Sequence, residues 1–440
     1  MLSTQLISRQ LAEILADGVW TEEEIERRIR KFLGERRKWV VGFATRLFNF
    51  YGTERRPTKR QVEAFLALDI HQAEKKNKWK IRLVGSAEPT MRPTAGAPAT
   101  WDVQPLLHRG ELADWLGFDA RELNHIADRS YRERQFRSER QRNYRYHWLA
   151  KTQRGFSRLI EVPKPRLMQA QRQILYEILD GIPAHAAAHG FRQGRSTLSF
   201  VAPHVGQEVV MRMDVQDFFP SIHPTRIAAI FRTAGYPDEV ALMLTALCTN
   251  VASAEIWDRV PPTETNKSVC RQRGLYDAVH LPQGAPTSPA LANLVSFRLD
   301  LRLSGLADCL GIQYTRYADD LVFSGKRKAL GSAERLKRLV CNIAVAEGLE
   351  LNLGKTRVMR PGTRQHACGL TLNEHANVSR RDYDRLKATL HNCCRLGPTS
   401  QNTDDIPHFR DHLMGRVAYV EAVNPPRGAK LRVVFEKIQW

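Results

Sequence analysis

Apolar residues in the first part of the chain recur with the period of a helix. Within residues 1–83, Thr21 begins a segment with capping-box spacing, and Ile25, Ile29 and Phe32 then fall on one face. Such a stripe is expected to pack against other helices rather than to remain in water. The pattern therefore predicts an N-terminal helical extension.

After this extension the pattern changes. The segment 84–105 is rich in Pro, Ala, Gly and Thr, which predicts a linker. From residue 106 onward helical and strand patterns mix: 111–128 predicts two short helices, 156–162 alternates as a strand does, and 166–182 is helical again. The main part of the chain is therefore predicted to be an α+β fold.

The charge balance indicates the kind of partner. Lys and Arg number 67 against 47 Asp and Glu, a formal net charge of +20, which favours a polyanion such as nucleic acid. The segment 129–147 is dense in Arg with interleaved Tyr and Phe, a composition suited to single-stranded nucleic acid. An exposed basic helix is the alternative. The candidate RNA-binding residues are Arg132, Arg134, Arg137, Arg140 and Arg142.

Cysteine usage and hydropathy indicate a compartment. All seven cysteines follow position 247 and none forms a C-x-x-C pair, so a zinc ribbon is not expected and reduced thiols are. Residues 1–15 carry charges inside their apolar pattern, which predicts an amphipathic helix rather than a signal peptide. No apolar run reaches the roughly 18 residues of a membrane span. We expect a cytoplasmic protein without a membrane partner.

Two segments place carboxylates at strand ends. Residues 209–213 are apolar and lead into Asp214, and residues 312–324 predict a hairpin with Asp319 and Asp320 at its tip. Each feature read alone is an ordinary turn or helix cap. Together, adjacent carboxylates and a third at another strand end call for a cation such as Mg²⁺, which prefers oxygen ligands.

A third segment, 281–295, has a rigid turn of small residues before a helix. Gly284 and the prolines around it let backbone approach a sugar, base or phosphate, although a plain loop-to-helix junction is the alternative. With the three carboxylates, the arrangement predicts nucleotidyl transfer. Two metal ions about 3.5–4 Å apart then activate the attacking hydroxyl and stabilise the leaving oxygens.

These strings resemble the palm motifs of reverse transcriptases. The similarity lies in DVQDFFPSI (214–222), LPQGAPTSP (281–289) and YADD (317–320), in that order. HGFRQGRS (189–196), LNLGKT (351–356), HACGLTLN (366–373) and NVSRRDYDRLKATL (377–390) extend it towards bacterial retron and group II intron enzymes. Of the retron VTG motif, only Gly369 is kept.

The resemblance implies roles for individual residues. Asp214 and Asp319 are expected to bind two magnesium ions, with Asp320 assisting and Mn²⁺ as a substitute. Phe219 occupies the steric gate, where an aromatic ring crowds a ribose 2′-hydroxyl, and Lys355 is expected to protonate departing pyrophosphate. Nucleotide contacts are implied for Lys151, Arg158, Asp217, Phe219, Gln283, Gly284, Tyr317 and Lys355. The primer grip falls on Gly369 and Leu370, and further RNA contacts on Arg380, Arg381 and Lys387.

The implied fold is a right-hand polymerase: fingers at 106–205, an antiparallel-sheet palm with the YADD hairpin at 206–373, and a helical thumb at 374–440. The implied function is RNA-directed DNA synthesis on a structured noncoding RNA, using dNTPs, in a retron-type antiphage system with a toxin or effector protein. Three alternatives remain: another defence-associated or group II intron-like reverse transcriptase, an RNA-binding maturase-like protein, and an RNA-dependent RNA polymerase.

Overall fold

The structure is a computed structural model that describes residues 4–15, 20–33, 38–52, 57–77, 91, 101–135, 138–150, 157–261, 266–330 and 333–440. The chain forms two compact units, Met1–Thr90 and Met91–Trp440. The division between the units falls inside the segment 84–105 that composition predicts as a linker.

The first unit is helical, as its apolar period predicts. Its helices are Thr4–Leu15 (α1), Glu22–Leu33 (α2), Lys38–Tyr51 (α3) and Lys59–Asn77 (α4). Their apolar faces form one core, in which Leu11, Ile29, Phe43 and Leu66 are fully buried. Because this core is built from all four helices, the unit has its own hydrophobic centre.

The second unit contains nine described strands. They are Tyr144–Ala150 (β1), Ser157–Pro163 (β2), Val209–Asp214 (β3), Gln313–Tyr317 (β4), Asp320–Gly325 (β5), Arg357–Met359 (β6), His366–Ala367 (β7), Leu370–Thr371 (β8) and Asn377–Val378 (β9). β1 and β2 form an antiparallel pair, β7–β8–β9 form a small sheet, and the main sheet has the order β4-β5-β3-β6. The pairings between these strands are all antiparallel.

Fourteen described α-helices surround these strands. They are Arg109–Leu116 (α5), Ala120–Ala127 (α6), Pro165–Ile174 (α7), Thr197–Val201 (α8), Pro224–Thr233 (α9), Asp238–Cys248 (α10), Asn266–Tyr276 (α11), Ser288–Val295 (α12), Phe297–Leu310 (α13), Arg327–Leu330 (α14), Ala333–Ala346 (α15), Arg380–Leu396 (α16), Phe409–Val423 (α17) and Pro425–Phe435 (α18). A π-helical turn, Leu175–Leu179, continues α7, and short 3-10 helices occupy Arg132–Gln135, Glu139–Gln141, Ala202–His204, Ala254–Arg259, Leu353–Lys355 and Pro398–Ser400.

The two faces of the main sheet pack on different cores. Met211 and Met213 of β3 join the larger core with α9, α10, α12 and α13, whereas Val210 joins the core of α16, α17 and α18. Successive strand residues point to opposite faces. Asp214, which has the parity of Val210, therefore lies on the side of the C-terminal helices.

Several sequence predictions hold here. The segment 111–128 forms α5 and α6, and Ser379 caps α16 by accepting from the Asp382 backbone N–H at 3.1 Å. The described residues of the basic segment 129–147 form 3-10 turns and the start of β1 rather than the α-helix given as the alternative. No helix within the described residues is long and apolar enough to cross a bilayer.

Candidate active site

Asp214 and the tip of the β4–β5 hairpin meet because β3 and β5 are neighbours. Asp214 is paired with Asp320 in the antiparallel register, and the backbone N–H of Val215 donates to Asp319 O at 2.8 Å. The turn between β4 and β5 holds Ala318 in the left-handed region at φ 53°. Acidic residues about a hundred positions apart in sequence are thereby brought to one point.

The carboxylates of this cluster repel one another. Burial raises the pKa of Asp319, and the negative charges of Asp214 and Asp320 raise it further, against a lowering by Lys355. The Lys355 ammonium lies 2.7 and 2.8 Å from the two carboxylate oxygens of Asp214. A cation is thus already seated where the acidic cluster needs positive charge.

Asp320 has a different partner from its neighbour in sequence. Nε and Nη2 of Arg212 donate to Oδ1 and Oδ2 of Asp320, both at 2.9 Å, in the bidentate fork that guanidinium and carboxylate form. The Cys368 thiol donates to Oδ2 at 3.6 Å. Burial, followed by the charge of Asp320, raises the pKa of Cys368 to about 12, so this thiol remains protonated.

The donors at this point fit a divalent cation that is shared with a phosphate. Asp214 and Asp319 supply oxygen ligands whose mutual repulsion a cation relieves. Within the described part of the chain, no three His, Cys, Asp or Glu side chains are grouped as a complete metal site. Mg²⁺ is commonly bound by one or two carboxylates while water and substrate phosphate fill its other positions, and the donors present match that pattern.

A buried ion pair braces the turn between β4 and β5. Arg316 donates through Nε and Nη2 to both oxygens of Asp300, at 2.8 and 2.6 Å, and both side chains are fully buried. Nη1 of Arg316 reaches Asn293 Oδ1 at 3.0 Å and Ala318 O at 3.1 Å. The Tyr314 hydroxyl donates to Asp300 at 2.9 Å. The guanidinium therefore ties the turn that carries Asp319 to α12 and α13.

Gly190 lies against the same turn. A Cβ at this position would lie 2.8 Å from the Ala318 nitrogen and 3.3 Å from Tyr317 Cδ1, so a larger residue would displace the turn. The Gly190 carbonyl accepts from Asn293 Nδ2 at 2.8 Å. The string HGFRQGRS (189–196) thus contributes a close backbone approach at Gly190, where a side chain would not fit.

Aromatic rings line the surface beside the cluster. Phe191 is 49% exposed, and its ring centroid lies 6.3 Å from that of Phe219 and 6.2 Å from that of Tyr317. Phe219 is half-buried against Phe218, with the centroids 5.5 Å apart. The predicted gate and the predicted nucleotide-contacting tyrosine therefore flank one exposed ring.

The predicted triphosphate residue Asp217 is tied to a helix inserted between β3 and β4. Arg271 of α11 donates to Asp217 at 2.8 Å through Nε and to Glu350 at 3.0 Å through Nη2. Asp217 adopts φ 49°, and its carbonyl accepts from the Ser221 N–H at 2.9 Å. The turn after β3 is therefore closed by its own backbone and held by one arginine.

The small-residue turn at 281–289 lies against β2. The Gln283 carbonyl accepts from the Glu161 N–H at 2.9 Å. Gly284 has φ 132°, and a Cβ there would lie 2.8 Å from the Glu161 carbonyl. Glycine is needed at 284 because both the backbone angle and the contact exclude a side chain.

A buried ion pair sits at the base of this turn. His280 Nε2 lies 2.8 Å from Glu161 Oε2 and His280 Nδ1 lies 2.8 Å from Ala278 O, while Asn250 donates to Glu161 Oε1 at 2.8 Å. Burial lowers the pKa of His280, but the charge of Glu161 and the two hydrogen bonds outweigh it and raise the pKa overall. Both ring nitrogens of His280 therefore face oxygen acceptors, an arrangement that favours the protonated form.

Comparison with known proteins identifies the family. The profile of the family described as "Reverse transcriptase (RNA-dependent DNA polymerase)" matches residues 149–389. That is more than half of the chain. The chain belongs to the reverse transcriptase family. Membership implies the right-hand polymerase fold, in agreement with the mixed helices and antiparallel sheets, and a general dependence on divalent metal.

The curated relatives are retron enzymes. The Retron Mx65 reverse transcriptase of Myxococcus xanthus is 39% identical over 63% of this chain and 61% of its own length. The Retron Mx162 enzyme of the same organism is 34% identical over 64% and 58%. The Retron Ec86 enzyme of Escherichia coli is 28% identical over 64% and 77%. The match therefore spans about three fifths of the length of the two Myxococcus relatives.

The predicted primer-grip residues, Gly369 and Leu370, lie where the turn between β7 and β8 leads into β8. Cys368 and Gly369 both have positive φ, 44° and 79°, as a two-residue type I′ hairpin loop requires. Leu370 is fully buried in the core of α16–α18. Cys368, the residue directly before the predicted grip, donates to Asp320, so the predicted grip lies next to the YADD hairpin.

The predicted RNA-binding arginines do not all face solvent. Arg132, Arg134 and Arg140 are exposed, as are Arg380, Arg381 and Lys387 on α16. Arg142 is different: it is 7% exposed and donates to Glu255 at 2.7 Å. Its expected role as an RNA contact is corrected, because it fastens the start of β1 to the 3-10 helix at 254–259.

Three further predicted contact residues lie in or near the β1–β2 pair in sequence. Arg158 lies exposed on β2 opposite Leu149. Lys151 and Arg137 lie outside the described residues.

The sequence did not predict a role for Arg212, Asp300 or Arg316. Their signal was present, since Arg212 and Arg316 interrupt otherwise apolar or aromatic strands, and a charge buried in a sheet needs a partner. The residues next to each arginine in the sequence do not identify its acidic partner. It lies 108 positions away for Arg212 and 16 positions away for Arg316.

Proposed function

We propose that this chain is an RNA-directed DNA polymerase that copies a structured noncoding RNA into DNA. The observation that carries the proposal is the convergence of Asp214, Asp319 and Lys355 at one end of the main sheet. Nucleotidyl transfer needs oxygen ligands from separate strands, and a cation near the phosphates, at a single point. The family and the retron relatives support the same activity.

Asp214 and Asp319 would hold two Mg²⁺ ions, or Mn²⁺ in their place. Bound metal would lower the pKa of the primer 3′-hydroxyl and neutralise charge on the phosphates. Lys355, now on Asp214, would follow the developing negative charge and donate a proton to the departing pyrophosphate. The attacking oxygen forms a bond to the α-phosphorus as the bond to pyrophosphate breaks.

Phe219 would select the sugar. Its half-buried ring is braced by Phe218 on one side and faces Phe191 on the other, so it has little freedom to move aside. A ribose 2′-hydroxyl would collide with a ring held in this way. Tyr317, Gln283 and Gly284 would complete the nucleotide site, together with Arg158 and Lys151 from the fingers and Asp217 beside the triphosphate.

The hand-like division of the chain is part of the proposal. We place the fingers at 106–205, the palm at 206–373 and the thumb at 374–440, with 1–83 as an extension and 84–105 as a linker. The exposed Arg380, Arg381 and Lys387 of α16 would contact the RNA. By analogy with the retron relatives, the enzyme would act in the cytoplasm in an antiphage system with a toxin or effector protein.

Primer extension tests the activity. An RNA template with an annealed DNA primer, dNTPs and Mg²⁺ should yield extended DNA with wild type and none above background with Asp319→Asn. Cys309→Ala, which changes an exposed cysteine on α13, is the matched control and should extend like wild type. Equal extension by wild type and Asp319→Asn would refute the catalytic assignment.

The same assay separates the rival functions. For an RNA-dependent RNA polymerase, wild type prefers rNTPs and Phe219→Ala leaves that preference unchanged, whereas the gate predicts that Phe219→Ala gains ribonucleotide incorporation. A maturase-like binding protein would extend no primer at all. Sequencing nucleic acid that co-purifies with the protein tests the retron role, which predicts one RNA joined to complementary DNA.

A further inference from the structure

The two adjacent carboxylates of the YADD turn are treated differently by the fold. Asp319 is raised in pKa by burial and by its acidic neighbours. Asp320 has both carboxylate oxygens occupied by the Arg212 guanidinium at 2.9 Å, and the Asp320 and Arg212 side chains are 13% and 30% exposed. A bidentate fork fixes the plane of the carboxylate as well as its charge. Asp320 is thereby restrained in orientation by β3.

Asp320 also contacts the predicted primer-grip turn. Its Oδ2 accepts from the thiol of Cys368, the first residue of the two-residue turn between β7 and β8. Arg212, Asp320 and Cys368 thus form a continuous chain from β3 through the hairpin tip to the β7–β8 turn. These hydrogen bonds join the strand that carries Asp214 to the segment expected to hold the primer.

We infer that Arg212 is a positioning residue, which orients Asp320 so that Asp320 links the β4–β5 hairpin to the Cys368–Gly369 turn. In this arrangement Asp320 is not a metal ligand. The inference rests on the proposed function and deepens it. It predicts that Asp320 and Arg212 govern how the primer–template duplex is held. Asp214 and Asp319 then govern the metal requirement.

Duplex affinity is the decisive readout because it needs no catalysis. We would measure the Kd of a fluorescent RNA template–DNA primer duplex by anisotropy in EDTA, at a temperature where each variant is folded. Arg212→Gln and Asp320→Asn should each weaken duplex binding by up to about tenfold, because losing a hydrogen bond to a charged group releases the Cys368–Gly369 turn from its fixed position. Arg212→Lys keeps the positive charge but cannot form the bidentate pair, so its duplex affinity should lie between those of wild type and Arg212→Gln.

The double variant Arg212→Gln/Asp320→Asn separates positioning from simple electrostatics. If the pair acts as one bridge, the double variant binds the duplex about as weakly as the worse single variant. If Arg212 only screens Asp320 from the nucleic acid, removing both charges restores affinity and overturns the inference. Cys368→Ala should weaken duplex binding, whereas Cys309→Ala should not.

The Mg²⁺ dependence of primer extension gives the second test. Asp320→Asn should keep the half-saturating Mg²⁺ concentration of wild type while losing activity through the duplex. A several-fold rise in that concentration, or an inactive Asp320→Asn that binds the duplex like wild type, would identify Asp320 as a metal ligand and overturn the inference. Failure of wild type itself to extend a primer would refute the proposed function, while the EDTA binding data would still decide the role of Arg212.

Discussion

Replacing Asp300 with asparagine should destabilise the second unit by several kcal/mol. The substitution keeps the shape of the side chain but leaves the fully buried Arg316 guanidinium without its counter-charge. Removing one partner of a buried ion pair costs about 3–5 kcal/mol, because the other charge remains desolvated. The Tyr314 hydroxyl loses a charged acceptor in the same step.

The corresponding change in melting temperature follows from the size of the unit. For the unit Met91–Trp440, with roughly 350 residues, the unfolding entropy is about 0.7 kcal/mol/K, so the loss amounts to about 4–7 °C. Differential scanning fluorimetry checks this directly. Asp384→Asn breaks the exposed Arg380–Asp384 pair and serves as the control, with no measurable change expected.

A double variant tests the physical reason. Asp300→Leu with Arg316→Met removes both charges, so it should be less destabilised than Asp300→Asn even though more groups are changed. It should still lose primer-extension activity, because the hydrogen bond from Arg316 to the Ala318 carbonyl is gone. The account of this pair is wrong if Asp300→Asn unfolds at the wild-type temperature. It is also wrong if the double variant unfolds at a lower temperature than Asp300→Asn.

Three other predictions use positions with clear structural reasons. Gly190→Ala should lower primer extension about 100-fold by displacing the catalytic turn, whereas Gly305→Ala, with open space inside α13, should leave extension unchanged. Gly428→Ala would place a Cβ 2.2 Å from the backbone of α17 and should destabilise by at least about 1–3 kcal/mol, while Gly415→Ala should stabilise by about 0.5–1 kcal/mol in thermal unfolding. Because the pKa of His280 is raised in the folded protein, its contribution is complete below the unfolded value of about 6.5 and is lost as pH rises through the folded value. The stability difference between wild type and His280→Gln should therefore shrink with rising pH, and a difference that grows would contradict a raised pKa of His280 in the folded protein.

The sequence was sufficient where the determining information is local. The apolar run before Asp214 and the hairpin pattern around Asp319 each specify a strand end and a carboxylate within a few residues. When both strands pair in one antiparallel sheet, that pairing alone brings their ends together. The convergence of these carboxylates was predictable for that reason.

The partners of those carboxylates were not predictable, because register and long-range packing decide them. Lys355 comes 141 positions after Asp214, in a 3-10 turn whose placement depends on the pairing of β6 with β3. Arg142 has the same composition signal as its exposed neighbours in 129–147, yet it is buried against Glu255. A charge pattern reports how many cations a segment carries, whereas burial depends on what packs over it.

The charges at the centre also constrain how the proposed cofactor enters. The carboxylates of Asp214, Asp319 and Asp320 face the cations of Lys355 and Arg212, so among these described side chains one negative charge is left uncompensated. A single net negative charge compensates little of the positive charge of two divalent ions in a partly buried site, where repulsion between cations is strong. The triphosphate of an incoming nucleotide supplies the missing negative charge. Under the proposed function, metal and nucleotide would therefore bind together, and Lys355 would stabilise Asp214 before they bind.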